Sequence, residues 1–212
     1  ALSPYVDDRW VHCELTVNYR TPETISAVAE LLLAQIDASA VSPRTVRAGR
    51  RPVSWLEPRP GSASGIVLER IASVPEDRAV AVLVPDGHRD EESADISALR
   101  QAVTATRPGV SVLPLSLAKG LEFDVVVVID PDRVLERSPQ GLQDLYVGAT
   151  RATQELVLVQ PGMAPERDHA GLRGQVDDAA VAVLRAVGAV RAVRRGVGIA
   201  EQRVLETVAV GE

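Results

Sequence analysis

The chain of 212 residues is poor in cysteine and in aromatic side chains, which make up only 3% of it. The single Cys13 excludes a disulfide within the chain and fits a reducing, cytoplasmic setting. So few aromatic residues argue against the stacking platforms of a dedicated single-strand binder. No apolar run approaches the roughly 20 residues that span a bilayer, and no signal-peptide core is present, so no membrane contact is expected.

Several sites of chemistry are also missing. His12, His88 and His169 do not stand at metal-ligand spacing with Cys or carboxylates, so no metal site is predicted. The chain lacks a Gly-x-Ser-x-Gly nucleophile turn and the Gly-x-x-x-x-Gly-Lys-Ser/Thr loop that cradles a triphosphate. The net charge of −6 argues against nonspecific nucleic-acid binding by the whole surface, but it leaves a local basic groove open.

Strand and helix patterns alternate along the first three quarters of the chain, which predicts an α/β fold with a mostly parallel sheet flanked by helices. Strands are predicted at 14–18, 78–84, 110–113, 125–129 and 156–159, with a further edge strand at 52–56. Helices are predicted after Pro22, from Ser62 or Ser64 to Ala72, and over 91–106 and 140–153, whereas 37–64 and 131–139 are interpreted as connections.

The ends of these elements suggest a domain boundary near Pro161. We expect one domain over 1–162 and a partly helical C-terminal tail over 163–212, which is rich in Ala, Val, Arg and Gly. At the start of the first helix, Thr21 is predicted as the N-cap and Pro22 as the first helical residue.

A small set of charged residues falls at the predicted loops. Lys119 is the only lysine among 23 basic residues, and it precedes the strand at 125–129 beside a glycine. Tyr19 and Arg20 follow the first strand at a strand-to-helix turn, which in open α/β sheets is the carboxyl edge where ligands bind. Arg151 precedes the last strand. Taken alone, each arginine is most simply a solvated surface charge. If the sheet is open and parallel, the three cations can converge with Glu122 on one rim, where they suit a nucleoside triphosphate held partly elsewhere.

Three segments then resemble motifs of one family in the family's own order. Asn18-Tyr-Arg-Thr21 resembles motif IV of superfamily 1 helicases of the UvrD/Rep/PcrA type. Ala118-Lys-Gly-Leu-Glu-Phe-Asp124 resembles motif V, and Asp144-Leu-Tyr-Val-Gly-Ala-Thr-Arg-Ala152 resembles motif VI. The resemblance covers about residues 14–160 and implies the C-terminal RecA-like domain of an ATP-driven motor that has no P-loop of its own.

The resemblance also implies residue roles. Tyr19 would stack on the adenine, Arg20 would approach the γ-phosphate, and Glu122 would accept a hydrogen bond from the ribose. Arg151 would be the arginine finger that stabilises charge during phosphoryl transfer. Both arginines are thus the expected catalytic residues.

Two neighbouring residues, Lys119 and Gly120, would line the nucleotide cleft. The cofactor implied is ATP with Mg²⁺, and the Walker A and Walker B motifs that hold most of it would belong to an N-terminal RecA-like lobe. Because the chain begins at Ala1 rather than Met, we interpret it as a fragment of such a parent, inactive as an ATPase by itself.

The track of the motor is less well specified by the residues. The family places Thr-x-His before motif V, where the His contacts single-stranded DNA, but here Pro114 and Ser116 stand at these positions. Ser116 is therefore the candidate nucleic-acid contact. The residues of motif V are similar to those of the HelD branch, whose members are ATPases that act on bacterial RNA polymerase. A DNA helicase or translocase, a polymerase-remodelling ATPase and a non-catalytic interaction module all remain open.

Overall fold

The fold is described from a computed structural model, which describes residues 16–49, 51, 53–58, 61–87, 94–137 and 139–161. The expected helical tail over 163–212 lies outside the described residues, as do Cys13 and the three histidines. Within the described ranges, no helix is both long and apolar enough to cross a bilayer.

The centre of the fold is a five-stranded sheet whose neighbouring strands all run parallel, in the order β3-β7-β6-β4-β5. Its strands are β3 (Ser54–Leu56), β4 (Val80–Val84), β5 (Ser111–Pro114), β6 (Phe123–Ile129) and β7 (Ala152–Val159). All five residues of β4 are buried, as are the last five of β6 and of β7. Continuous β-branched and aliphatic runs of this kind are what a strand covered on both faces requires.

Helices cover both faces of the sheet, and the described helices are α1 (Glu23–Ile36), α2 (Ala63–Ala72), α3 (Ala94–Thr106), α4 (Pro131–Arg137) and α5 (Gly141–Ala149). One core layer joins α1, α4 and α5 to the sheet, and the other joins α2 and α3 to it. Along β4, Ala81 and Leu83 face the first layer, whereas Val80, Val82 and Val84 face the second. The predicted α/β architecture is confirmed.

A second, two-stranded parallel sheet lies apart from the main one. It pairs β1 (Val17–Asn18) with β2 (Arg44–Thr45), and β2 was not expected within the connection at 37–64. The edge strand predicted at 52–56 is confirmed as β3. The predicted N-cap is wrong, because Pro22 occupies that position and α1 begins at Glu23. The hydroxyl of Thr21 makes no cap bond and is buried without a hydrogen-bond partner.

Two boundaries differ near the end of the described chain. The connection expected at 131–139 contains α4. This helix begins at Pro131, where the missing N–H of proline costs nothing because the first helical N–H groups have no partner within the helix. The last helix ends at Ala149 rather than at residue 153, and β7 begins already at Ala152. Arg151 is therefore held in the tight turn between α5 and β7.

A short 3₁₀ helix, Leu115–Ala118, opens the segment from β5 to β6. Because both strands are parallel and flank β4, residues 115–122 must cross over β4 from the carboxyl edge of the sheet to its amino edge. Leu115 and Ala118 are buried in the layer that contains α5. A Cβ atom at Gly148 of α5 would lie only 3.1 Å from Leu115 and 3.3 Å from Leu83, so this glycine permits the close packing.

Candidate functional site

The turn between β1 and α1 holds the backbone of Arg20 on both sides. The side-chain oxygen of Asn18 accepts hydrogen bonds from the backbone N–H groups of Arg20, at 3.0 Å, and Thr21, at 3.1 Å. The guanidinium of Arg47 donates to the carbonyl oxygen of Arg20 at 2.8 Å. Asn is favoured at such turns because its side chain imitates a backbone acceptor. The turn therefore fixes the direction in which the Arg20 side chain leaves.

The Arg20 side chain reaches the starts of β6 and β7. Its guanidinium forms an ion pair with Glu122 and lies 3.5 Å from the carbonyl oxygen of Thr150. The Arg20 and Glu122 side chains are 41% and 51% exposed, so water screens their pairing. Exposed pairs of this kind contribute about 0–1 kcal/mol, which leaves both groups available for exchange with a ligand.

Arg151 lies in the same cluster and is anchored by its own neighbourhood. Its guanidinium donates to the carbonyl oxygen of Val147 at 3.1 Å, to that of Leu121 at 3.3 Å, and to the hydroxyl of Thr150 at 3.2 Å. Burial lowers the pKa of Arg151, the positive charge of Arg20 lowers it further, and nearby Glu122 and Tyr146 oppose these effects.

Two guanidinium groups that repel each other are thus held together by main-chain and side-chain acceptors. An anion placed between or beside them would relieve that repulsion, and guanidinium forks match phosphate oxygens in geometry. Within this group Glu122 is the carboxylate in contact with a cluster arginine, and it is itself half-exposed. The arrangement can therefore bind a polyanion such as a phosphate chain, with Glu122 displaced or rearranged on binding.

Lys119 and Gly120 lie on the same segment as Glu122, directly after the 3₁₀ helix. Gly120 has a φ of 85°, a backbone conformation that glycine adopts without the strain a side chain brings. Lys119 is exposed, and among the described residues no hydrogen bond or ion pair links it to either arginine. Along the chain it lies three residues before Glu122.

Tyr19 completes the exposed surface at this place. Its side chain is 75% exposed, although aromatic residues usually bury most of their surface. It is the immediate neighbour of Arg20, so a planar ligand group that lies on the ring would come next to the cluster of cations.

The cluster lies at a different edge of the sheet from the one that the sequence suggested. Tyr19 and Arg20 were expected at the carboxyl edge of an open sheet, where ligands commonly bind. Because β1 belongs to the separate small sheet, its end instead meets the amino ends of β6 and β7, through Glu122 and Thr150. Arg20, Glu122 and Arg151 do come together, but beside the starts of the strands.

Ser116 does not join this cluster, since it lies at the carboxyl end of β5. Its backbone N–H donates to Asp86 at 3.1 Å, and its hydroxyl also donates to the Asp86 carboxylate. Asp86 and Arg47 were not predicted from the sequence. Each contacts a residue far away in the chain, Ser116 and Arg20 respectively, and no local sequence pattern indicates such contacts. Asn18 could have been found, because an Asn at the end of a strand is a turn signal.

Metal binding has little support in this part of the molecule. Within the described ranges, no group of three or more His, Cys, Asp or Glu side chains is placed to hold a metal ion.

Comparisons with known proteins agree with the geometry of the fold. The model of the UvrD-like helicase C-terminal domain family matches residues 109–159, which include Lys119, Glu122 and Arg151 but not Tyr19 or Arg20. No curated protein matches the chain significantly.

A crystal structure gives a second similarity over a longer span. It is the C-terminal domain of a possible DNA helicase from Lactobacillus plantarum WCFS1, 25% identical, with a TM-score of 0.52. The match covers 77% of this chain and 96% of that one. The parallel sheet and both similarities define an α/β fold like that of helicase C-terminal domains. Within that class, residues 109–159 are similar to the UvrD-like helicase C-terminal domain family.

Proposed function

We propose that the chain is the C-terminal motor lobe of an ATP-dependent superfamily 1 DNA helicase or translocase and supplies half of its ATP site. The observation that carries the proposal is the pair of guanidinium groups, Arg20 and Arg151, held in one cluster with Glu122. Cations positioned before the reaction stabilise the charge of a transferring phosphoryl group without reorganising at that moment.

The absence of a P-loop fits a half-site rather than a complete one. The described residues offer cations but no Gly-rich loop to wrap the β- and γ-phosphates and no cluster of ligands for a metal ion. A second RecA-like lobe of the same parent protein would supply the Walker motifs and Mg²⁺. ATP would then bind between the lobes, and its hydrolysis would open and close the cleft.

Each residue of the cluster takes a role that its position allows. Arg151, fixed through three of its donor groups, is the arginine finger, and Arg20 approaches the γ-phosphate after leaving Glu122. Glu122 then accepts from the ribose hydroxyl. Exposed Tyr19 stacks on the adenine, and Lys119 lies along the cleft with Gly120, whose φ of 85° turns the backbone there.

One observation favours a second candidate, the remodelling of RNA polymerase by a HelD-like ATPase. Ser116, at the expected nucleic-acid contact, already donates both of its hydrogen bonds to Asp86. A motor that acts on a protein has no need of a phosphate contact there. Both candidates use the same ATP chemistry, require the same N-terminal lobe, and belong in the cytoplasm. A non-catalytic module is disfavoured, since it would have no need of two neighbouring guanidinium groups, those of Arg20 and Arg151.

The test is ATP turnover by the parent protein that contains both lobes. Arg151→Ala is expected to lower kcat about 10³-fold, as loss of an arginine finger does, while the affinity for ATP changes much less. Arg151→Lys is expected to restore little, because lysine lacks the planar fork. Arg133→Ala, at the opposite edge of the sheet, is the matched control and should leave kcat unchanged.

Two results would count against the proposal. Equal turnover of the Arg151→Ala and Arg133→Ala proteins would remove the arginine finger. ATP hydrolysis by the 212-residue chain alone, well above background, would show that the site is not shared between two lobes.

A further inference from the structure

The carboxyl edge of the main sheet has the opposite charge character to the arginine cluster. In the described chain, the first two residues after each strand of this sheet include no Lys or Arg. The polar residues directly after β3, β4, β6 and β7 are Glu57, Asp86, Asp130 and Gln160. At the amino edge, by contrast, Arg151 directly precedes β7 and lies near Arg20, so the residues that flank the strands differ in charge between the two edges.

Several carboxyl groups lie close to one another at this edge of the sheet. Burial raises the pKa of Asp132, and the nearby charges of Asp130, Glu136 and Glu57 raise it further, to about 6. Like charges that shift one another in this way also repel the phosphates of a nucleic acid.

Ser116 follows β5 at this edge and has two donors that could otherwise hold an anion. Its backbone N–H and its hydroxyl both point at the Asp86 carboxylate, which accepts one hydrogen bond on each oxygen. Asp86 comes from the end of β4, the strand next to β5, so the contact joins two neighbouring strand ends. An internal carboxylate thus takes both donors and adds a negative charge where a phosphate would have to lie.

We propose that Asp86 is a specificity-determining residue that keeps nucleic-acid phosphates away from Ser116 and the carboxyl edge of the sheet. This rests on the proposed function only in that the lobe works next to a nucleic acid. The lobe then binds phosphate through the arginine cluster at the amino edge. The phosphates of a nucleic acid do not lie against Ser116.

The experiment measures binding of a fluorescent oligothymidine of about 16 nucleotides to the 212-residue chain over a series of salt concentrations. Asp86→Asn removes the charge but keeps an oxygen that can accept from the Ser116 N–H, so the fold should persist, as circular dichroism checks. Affinity is expected to rise roughly fivefold, the effect of one unit charge a few ångströms away in water. The salt dependence of the affinity should steepen as well.

Two further variants separate a contact at Ser116 from a general change of charge. Glu69→Gln, on the exposed side of α2, changes the net charge by the same amount and is expected to leave the affinity unchanged. In the Asp86→Asn chain, Ser116→Ala should reduce the gain, because the phosphate then loses its hydroxyl donor.

The inference is wrong if Asp86→Asn binds no more tightly than Glu69→Gln, or if the gain survives Ser116→Ala in full. Its failure is distinguishable from that of the proposed function, because ATP turnover depends on Arg151 at the other edge. A protein that needs Arg151 for hydrolysis but shows no effect at Asp86 would keep the motor and lose only this inference.

Discussion

Replacement of Asn18 by alanine tests how a single side chain positions the arginine cluster. The side-chain oxygen of Asn18 accepts hydrogen bonds from the backbone N–H groups of Arg20, at 3.0 Å, and Thr21, at 3.1 Å. Both donors lie in the turn that leads from β1 into α1. Asn18→Ala leaves both donors without this partner. One of them belongs to Thr21, which is only 1% exposed, so water cannot easily replace the lost acceptor there.

The expected loss of stability follows from these two groups. An unsatisfied buried donor costs about 1–3 kcal/mol, whereas the half-exposed N–H of Arg20 can recover part of its loss from water. Asn18→Ala should therefore lower the free energy of unfolding by about 2 kcal/mol. Urea unfolding followed by circular dichroism measures this, and an unchanged m-value would show that the loss is in stability alone.

Asn18→Asp is the matched control, because a carboxylate oxygen can accept the same two hydrogen bonds. It should stay within about 0.5 kcal/mol of the unchanged chain, a typical limit for benign substitutions. The reasoning is refuted if Asn18→Ala is as stable as the original, or if Asn18→Asp is destabilised to the same extent. In the parent protein, Asn18→Ala should also reduce ATP turnover, since Arg20 loses its fixed direction.

Two further predictions concern stability elsewhere in the fold. Arg107 donates to five backbone carbonyl groups in the segment from Ile71 to Arg78, so Arg107→Ala should destabilise the chain by about 3 kcal/mol in urea unfolding. Similar stability of the variant would show that water replaces the guanidinium. Asp132, with its pKa raised to about 6, binds a proton more tightly when folded, so stability should fall as pH rises from about 4 to 6. After a discount for solvent screening, Asp132→Asn should gain about 1–2 kcal/mol at pH 8 and little at pH 4, and equal gains at both pH values would contradict this.

The architecture could be predicted because its strands carry their own signal. The buried runs of β4 and β6 consist of aliphatic and β-branched residues, which in an alternating chain predict parallel strands between two layers of helices. The helix α4 was missed because Pro131 and Asp132 are turn residues as often as helix starts, and only packing decides between them.

The residues of the candidate site could be predicted from the sequence, but the edge of the sheet at which they lie could not. Motif resemblance selected Arg20, Glu122 and Arg151, and the structure brings these three together. The edge was misjudged because the pairing of β1 with β2, rather than with the main sheet, leaves no trace in either short strand. The contact of Arg47 with Arg20 spans 27 residues of chain, a distance over which no local pattern acts.

The segment from Ser116 to Glu122 joins the two edges of the sheet physically. At one end Ser116 is bound to Asp86, and at the other the carbonyl of Leu121 receives Arg151 while the side chain of Glu122 pairs with a cluster arginine. Between them Ala118 is completely buried. Leu115, directly before this segment, lies so close to Gly148 of α5 that a Cβ atom there would be 3.1 Å from its side chain. Because α5 leads into the turn that holds Arg151, a shift of Leu115 would have to be accommodated by the helix that precedes this arginine.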